Sequence, residues 1–396
     1  MKKFLMATAA TAIMAGTAFA DGHAVKVGVI LGFTGPIESL TPNMRDSAVL
    51  AFKEVSDSGN FLDGKTIEVV TADSTCVDAA AATAAAERLI TSDSVVAIMG
   101  ADCSGVTTAI ANNVAIPNGV VMVSPSATSP ALSTIDDNGL FFRTAPSDAR
   151  QGEVLASILK DRGIESVAVT YTNNDYGKGL SDSFISSYEA MGGTITISAA
   201  HEDGKGDYSA EVGALAAAGG DLLVVLGYAD QGGVGIIRTS VDTGAFDTFA
   251  LGDGMYADSL IEAIGDDLEG TIGSVPWSEG EGADAFVTVT EAAGVNGDSS
   301  FTRESYDAGA LIALAMQAGG SADRATIAAN LLSVANAPGE KILPGELGKA
   351  LEILAGGGEV DYVGATNVEL IGPGEAAGTY REYEVKSGAY ETAKFR

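Results

Sequence analysis

"TIEVVTADSTCVDAAAATAAAERLITSDSVVAIMG" occupies residues 66–100. Its ends, "TIEVVT" (66–71) and "VVAIMG" (95–100), are short runs rich in β-branched residues, and the alanine-rich "DAAAATAAAERLI" (78–90) lies between them. The ends read as strands and the middle as a helix. A helical connection of that length brings the second strand back parallel to the first. The stretch therefore predicts a βαβ unit, and with it a parallel sheet covered by helices.

The same alternation runs outward in both directions. "VKVGVI" (25–30) reads as a strand, and "RDSAVLAFKEVSD" (45–57) as a helix with Ala48, Val49, Phe52 and Val55 at helical spacing. "VTTAIANNVA" (106–115) is a further helix and "VVMVS" (120–124) a further strand. After "FFRTAPSDARQG" (141–152) a second series begins, with strands at 166–172, 194–200, 221–227 and 248–252 and helices at 177–190, 209–218 and 231–243. The fold class is thus α/β: two doubly wound, mostly parallel units in tandem, with helices on both faces of each sheet. Past about residue 275 the pattern loosens. "VPWSEGEGADAF" (275–286) reads as a polar loop, 303–319 and 323–335 as helices, and "YREYEVKSGAY" (380–390) alternates like a strand.

Length and charge agree with two exported domains. A chain of 396 residues is too long for one ordinary core. "MKKFLMATAATAIMAGTAFA" (1–20) has two lysines, an apolar stretch and Ala18-Phe19-Ala20, which together read as a signal peptide cleaved near Ala20 and a periplasmic destination. A retained membrane anchor is the alternative. The net charge of −31 argues against nucleic acid and against anionic membrane surfaces as partners. Cys76 and Cys103 are the two cysteines. In an oxidising compartment such a pair is expected to be bridged, with two free buried thiols as the alternative.

Little in the chain suggests catalysis. No Walker A motif occurs, and "GGVGIIR" (232–238) lacks dinucleotide-binding spacing. His23 and His201 are the only histidines, so neither Ser-His-Asp chemistry nor a zinc site is expected, and no cofactor. Polar residues just past strand ends stand out instead: Ser104, the "SPSAT" loop (124–128), Tyr176, Tyr228 and Asp253. Ligands of open α/β sheets bind outside the carboxyl ends of strands, so two facing sheets would gather these residues into one cleft. Taken singly, each is also an ordinary cap or turn residue.

"VKVGVILGFTGP" (25–36), "DSTCVDAAAA" (73–82), "GADCSGVTT" (100–108), "VSPSATSPAL" (123–132), "FFRTAPSDARQG", "YTNNDYGKG" (171–179) and "GYADQGG" (227–233) together resemble the periplasmic leucine/isoleucine/valine-type binding proteins of ABC importers. The resemblance implies a two-lobed clamshell, with residues 24–144 and 276–375 in one lobe and 145–275 and 376–396 in the other. It implies a Cys76–Cys103 bridge, a monomer, an amino acid or similar zwitterion as ligand, and an import permease as partner. By the same resemblance Ser104 and Thr128 hold the ligand's carboxylate. Ser126, through its carbonyl, and Asp253 hold its ammonium, and Tyr176 closes over it. Three positions depart from the family pattern. Leu40 stands where a pocket tyrosine is usual, Asp102, just before Cys103, where an apolar pocket residue is usual, and Arg303 where the family is neutral. The expectation is that Asp102 either asks for a donor in the ligand's side chain or turns to solvent or Arg303. The ligand is then a branched-chain amino acid by family default, or a more polar one. A sensor on the same fold is the alternative function, and an enzyme on that fold a more distant one.

Overall fold

The computed structural model describes residues 24–396; the signal-peptide expectation falls outside them. Five strands form the parallel body of the first sheet: β1 (Ala24–Leu31), β2 (Thr66–Asp73), β3 (Ala97–Gly100), β4 (Val121–Ser124) and β5 (Phe141–Pro146). The body of the second consists of β6 (Ser166–Thr172), β7 (Thr194–His201), β8 (Leu222–Leu226), β9 (Phe249–Leu251) and β10 (Ile272–Pro276). After a small parallel pair, β11 (Glu340–Ile342) and β12 (Val360–Tyr362), the chain adds β13 (Leu370–Ile371) and β14 (Glu375–Ala376) to the first sheet. It then adds β15 (Tyr380–Lys386) and β16 (Ala389–Phe395) to the second. The sheet orders are β13-β14-β5-β4-β3-β1-β2 and β16-β15-β10-β9-β8-β6-β7. The protein is a two-lobed clamshell.

The order of β2, β1 and β3 explains why residues 66–100 read so clearly. β1 lies between β2 and β3 and pairs parallel with both, with Val29 opposite Thr71 on one side and Met99 on the other. Inner strands β3, β4 and β8 are buried along their whole length, so they appear in sequence as unbroken apolar runs. Edge strand β2 has one wetter face and alternates. A helix over Thr302–Ala318 is buried nearly end to end against the helix Thr41–Asp57, whose Ser47 hydroxyl donates to the Thr302 carbonyl at 2.6 Å. Its all-round burial accounts for the run "ALIALAM" (310–316).

The supposed polar loop at 275–286 is a strand end and a helix. β10 runs to Pro276, and a helix covers Glu281–Ala293. Its glycines and acids mimic a loop in sequence. The structure turns Ala283, Phe286 and Thr290 inward and leaves Glu281 and Asp284 in the first turn, where the helix dipole favours negative charge. No helix among the described residues is long and apolar enough to cross a membrane.

Candidate functional site

The carboxyl ends of the two sheets face each other across a narrow cavity of about 20 Å³. The first lobe contributes Asp102, Cys103, Ser104 and Ser126 to its walls, and the second contributes Tyr176, Tyr228 and Asp253. Ile37, Leu40 and Phe301 form the apolar part. The structure therefore gathers seven of the eight residues expected to contact ligand. Thr128 is the eighth: it is buried behind the wall rather than on it.

The hydroxyl-rich loop after β4 is largely self-bonding. Ser124 donates its hydroxyl to the Ala101 carbonyl and accepts the Ala127 N–H at 2.9 Å. The Ser126 hydroxyl donates to the Asp102 carbonyl at 3.2 Å. The Ser129 N–H donates to the Ser104 hydroxyl at 3.1 Å, which leaves the Ser104 proton free to be donated elsewhere. Most of these hydroxyls thus shape the loop. Ser104 is the one whose bonding capacity is left over on the cavity wall; the Thr128 hydroxyl is turned toward the Asp148 carboxylate behind it.

Cys76 and Cys103 are bridged, with Cα atoms 5.1 Å apart. The bridge ties the turn after β2 to the turn after β3, directly beside Asp102 and Ser104. Asp102 is fully buried, and both its oxygens are taken within the first lobe: Gly32 N–H donates to Oδ2 at 2.6 Å and the Ser74 hydroxyl to Oδ1 at 3.0 Å. Burial raises its pKa and these bonds oppose the rise. Glycine at residue 32 suits this packing, because a Cβ there would sit 3.0 Å from the Cys76 Cβ and 3.1 Å from Asp102 Oδ2. The expected alternatives for Asp102, solvent or Arg303, are both corrected. Arg303 lies over the Trp277 ring, its guanidinium carbon 3.7 Å from the centroid, and pairs with Asp298 at 3.4 Å. Arg381 covers the other face of the same indole at 3.8 Å. A helix residue of one lobe and a strand residue of the other thus clamp the segment that joins them.

In the second lobe Tyr176 donates its hydroxyl to Asp253 Oδ1 at 2.6 Å and accepts the Gly254 N–H at 3.1 Å. The Tyr176 and Tyr228 rings stack with centroids 5.2 Å apart. Burial pushes the Asp253 pKa up to about 6, against the pull of the Tyr176 bond. Sequence reasoning missed a second acid beside it. Asp148 opens the helix Asp148–Asp161 just after β5 and is wholly buried. Burial and the neighbouring Asp253 charge drive its pKa well up. Nothing in the sequence distinguishes Asp148 from the acids that commonly occupy a helix's first turn.

Among the described residues no cluster of three His, Cys, Asp or Glu side chains is placed to hold a metal ion. His201, the one histidine described, bonds Thr170 at 2.8 Å and is not on the cavity wall. What the site offers is hydroxyl donors on one lobe, carboxylate and tyrosine on the other, and a small apolar patch.

Two parallel-sheet lobes that close on such a cavity define a clamshell solute-binding protein. The chain belongs to the periplasmic binding protein family, whose pattern it matches over residues 24–347. It is similar to the Leu/Ile/Val-binding protein homolog 1 of Brucella melitensis, 30% identical over 329 residues, which is 82% of this chain and 85% of that one. It is also similar to the chemotactic signal transduction system substrate-binding protein BasB of Halobacterium salinarum, 27% identical over 384 residues, 94% of this chain and 89% of that one. The crystal structure of a leucine-binding protein, LivK, of Thermotoga maritima superposes with a TM-score of 0.80 at 25% identity, covering 94% of this chain and 98% of that one.

Proposed function

We propose that this protein captures an amino acid, or a zwitterion of similar shape, outside the cytoplasmic membrane and presents it to an ABC import permease. The observation that carries the reading is the position of Asp253 on one lobe across the cavity from Ser104 on the other. A zwitterion stripped of water needs donors at its carboxylate and acceptors at its ammonium. Ser104 serves the carboxylate, and the Ser126 carbonyl and Asp253 serve the ammonium. Tyr176 and Tyr228 cover the solute from the second lobe. Only the closed state lets both lobes touch one small molecule, so binding favours closure.

Asp102 is satisfied within its own lobe, so it makes no demand on the ligand's side chain. Leu40, Ile37 and Phe301 then favour an aliphatic one. A thermal-shift screen against the twenty amino acids tests this. At a hundredfold excess over Kd a true ligand adds about 2.7 kcal/mol of stability. A screen with no stabilising amino acid rejects the proposal.

The similarity to BasB supports a second reading, in which the protein serves a chemotaxis receptor. Deleting the gene separates the two. Lost uptake of the solute marks an importer component, whereas intact uptake with lost attraction marks a sensor. Recovery of the bound solute chemically unchanged argues against an enzyme on this fold.

A further inference from the structure

A second, smaller cavity lies at the hinge. It measures about 10 Å³, room for no more than one water molecule. The chain passes between the two sheets after β5, after β10 and between β14 and β15. Every one of these passages contributes to the cavity walls: the first through Thr144, the second through Trp277 and Ser278, the third through Thr379. Glu304, in the first turn of the helix Thr302–Ala318, is the one buried charged residue that lines it.

The polar groups around Glu304 have already given their protons away. The Thr144 hydroxyl donates to the Glu304 carbonyl at 2.8 Å, the Ser278 hydroxyl to the Thr366 carbonyl at 2.6 Å, and the Thr379 hydroxyl to the Trp277 carbonyl. The Asn367 amide, also on the cavity wall, donates to the Glu279 carbonyl at 2.8 Å. What these groups have left is lone pairs, which repel a carboxylate and accept from a carboxylic acid. The charges nearby do not reverse this. On the same helix Arg303 favours the ionised form and Asp307 opposes it, and Asp253 of the second lobe opposes it too. Arg143 of β5 is engaged with Glu375, Arg381 of β15 lies on the far face of Trp277, and Glu369 is exposed at the cavity rim. Burial prevails and pushes the Glu304 pKa up to about 8.

The lobes part only by turning about these passages, so the cavity walls move whenever the clamshell opens. The Trp277 N–H donates to the Thr379 carbonyl at 3.0 Å and ties two of the passages together. Arg381 travels with the second lobe and Arg303 stays with the first, so opening draws apart the two guanidiniums that enclose Trp277. Water then reaches Glu304. We propose that Glu304 makes the hinge proton-operated: closing the lobes dries the carboxyl and takes up a proton, so acid favours the closed clamshell and alkali the open one. Wetted in the open state, the carboxyl titrates near its ordinary 4.5. The closed state's advantage is therefore full below about pH 4.5 and is lost as pH rises through about 8. Solute affinity follows the same course, because binding draws on closure. The device rests on the lobes closing over a solute and not on which solute that is.

The test is calorimetry with L-alanine, L-valine, L-leucine and L-isoleucine at a series of pH values, on the wild type and on two variants that do not titrate. Glu304→Gln keeps a donor in the cavity, and Glu304→Met keeps the length of the side chain without a charge. Between about pH 6 and pH 8 the wild type is expected to lose affinity relative to either variant by about 10-fold or more. At about pH 7 it should take up close to one proton more on binding than the variants do, read from the heats in buffers of unlike ionisation enthalpy. A wild-type-to-variant affinity ratio that stays constant over this range overturns the proposal. So does a wild type that takes up no proton, even where neither variant folds. If none of the four amino acids binds, the aliphatic amino-acid reading falls, and Trp277, the only tryptophan in the chain, decides the hinge. Its emission should then change with a midpoint near pH 8 in the wild type and not in Glu304→Gln, and identical titration curves overturn the device.

Discussion

The backbone N–H of Ser39, in the first lobe, donates to Oδ2 of Asp230, in the second, at 2.8 Å. The other oxygen of Asp230 accepts the Ser259 hydroxyl at 2.6 Å, and its N–H donates to the Pro36 carbonyl at 3.1 Å. Pro36 and Ser39 follow β1, whereas Asp230 and Ser259 belong to the opposite lobe, so opening the clamshell breaks the Ser39 and Pro36 links and keeps the Ser259 bond, which holds the Asp230 carboxylate in place. They form a latch at the mouth of the cavity that favours closure whatever the solute.

Removing the latch is expected to weaken binding without touching the ligand. Each link lies near solvent, so we take a net value of about 1–2 kcal/mol for the carboxylate's share, and Asp230→Ala lowers affinity by about 5- to 30-fold. Small-angle scattering of the unliganded variant should show a larger radius of gyration. Wild-type affinity together with a wild-type radius excludes the latch.

Asp253→Ala removes the carboxylate that faces the solute's cation and strands the Tyr176 hydroxyl. A charge-assisted bond of about 1.5–3 kcal/mol corresponds to a loss of about 10- to 150-fold in affinity. Calorimetry measures it directly, and an unaltered Kd would exclude the role.

Glu304 gives stability an unusual pH dependence. It is 4% exposed and lines a small cavity where the chain passes between lobes, with Thr144, Trp277 and Thr366 around it. Burial pushes its pKa up to about 8, only partly offset by Arg303. The folded state then keeps a proton that the unfolded chain, titrating at its ordinary 4.5, has given up. The contribution is present at low pH and is lost as pH rises from about 4.5 through about 8. Full linkage over that window is on the order of 5 kcal/mol. Glu304→Gln should therefore melt higher than wild type at pH 8, with the gap shrinking toward pH 5. A gap of constant size across that range rejects the assignment.

The Cys76–Cys103 bridge closes a loop with a sequence separation of 27 residues. In the chain-entropy picture its loss costs about 3–4 kcal/mol of stability. Because the bridge sits between Asp102 and Ser104, the Cys76→Ser, Cys103→Ser double variant should also bind its solute more weakly at a temperature where it is still folded. Lowered stability with unchanged affinity would confine the bridge to a structural role.

Residues 66–100 and the segments around them carry their fold locally. Whether a short run is a strand depends on its own β-branched residues and on burial from both faces, and inner strands such as β3 and β8 show that burial as uninterrupted apolar sequence. The two tandem α/β units, and the polar residues at strand ends, were legible for that reason. The helix over Glu281–Ala293 was not, because its first turn, Glu281-Gly282-Ala283-Asp284, is as polar and glycine-bearing as a loop, and only packing shows that Gly282 and Ala283 face inward.

Partnerships between distant groups were decided by tertiary structure alone. Asp102 is satisfied by Gly32, 70 positions earlier in the chain, and Arg303 finds the Trp277 ring and Asp298 instead of Asp102. In sequence Asp148 is one more first-turn acid. The passage between sheets buries it beside Asp253, 105 residues later, where two carboxyl groups share a space that water does not reach. Periodicity reports which face of an element is buried. It carries no information about what another segment, brought in by closure of the lobes, places against that face.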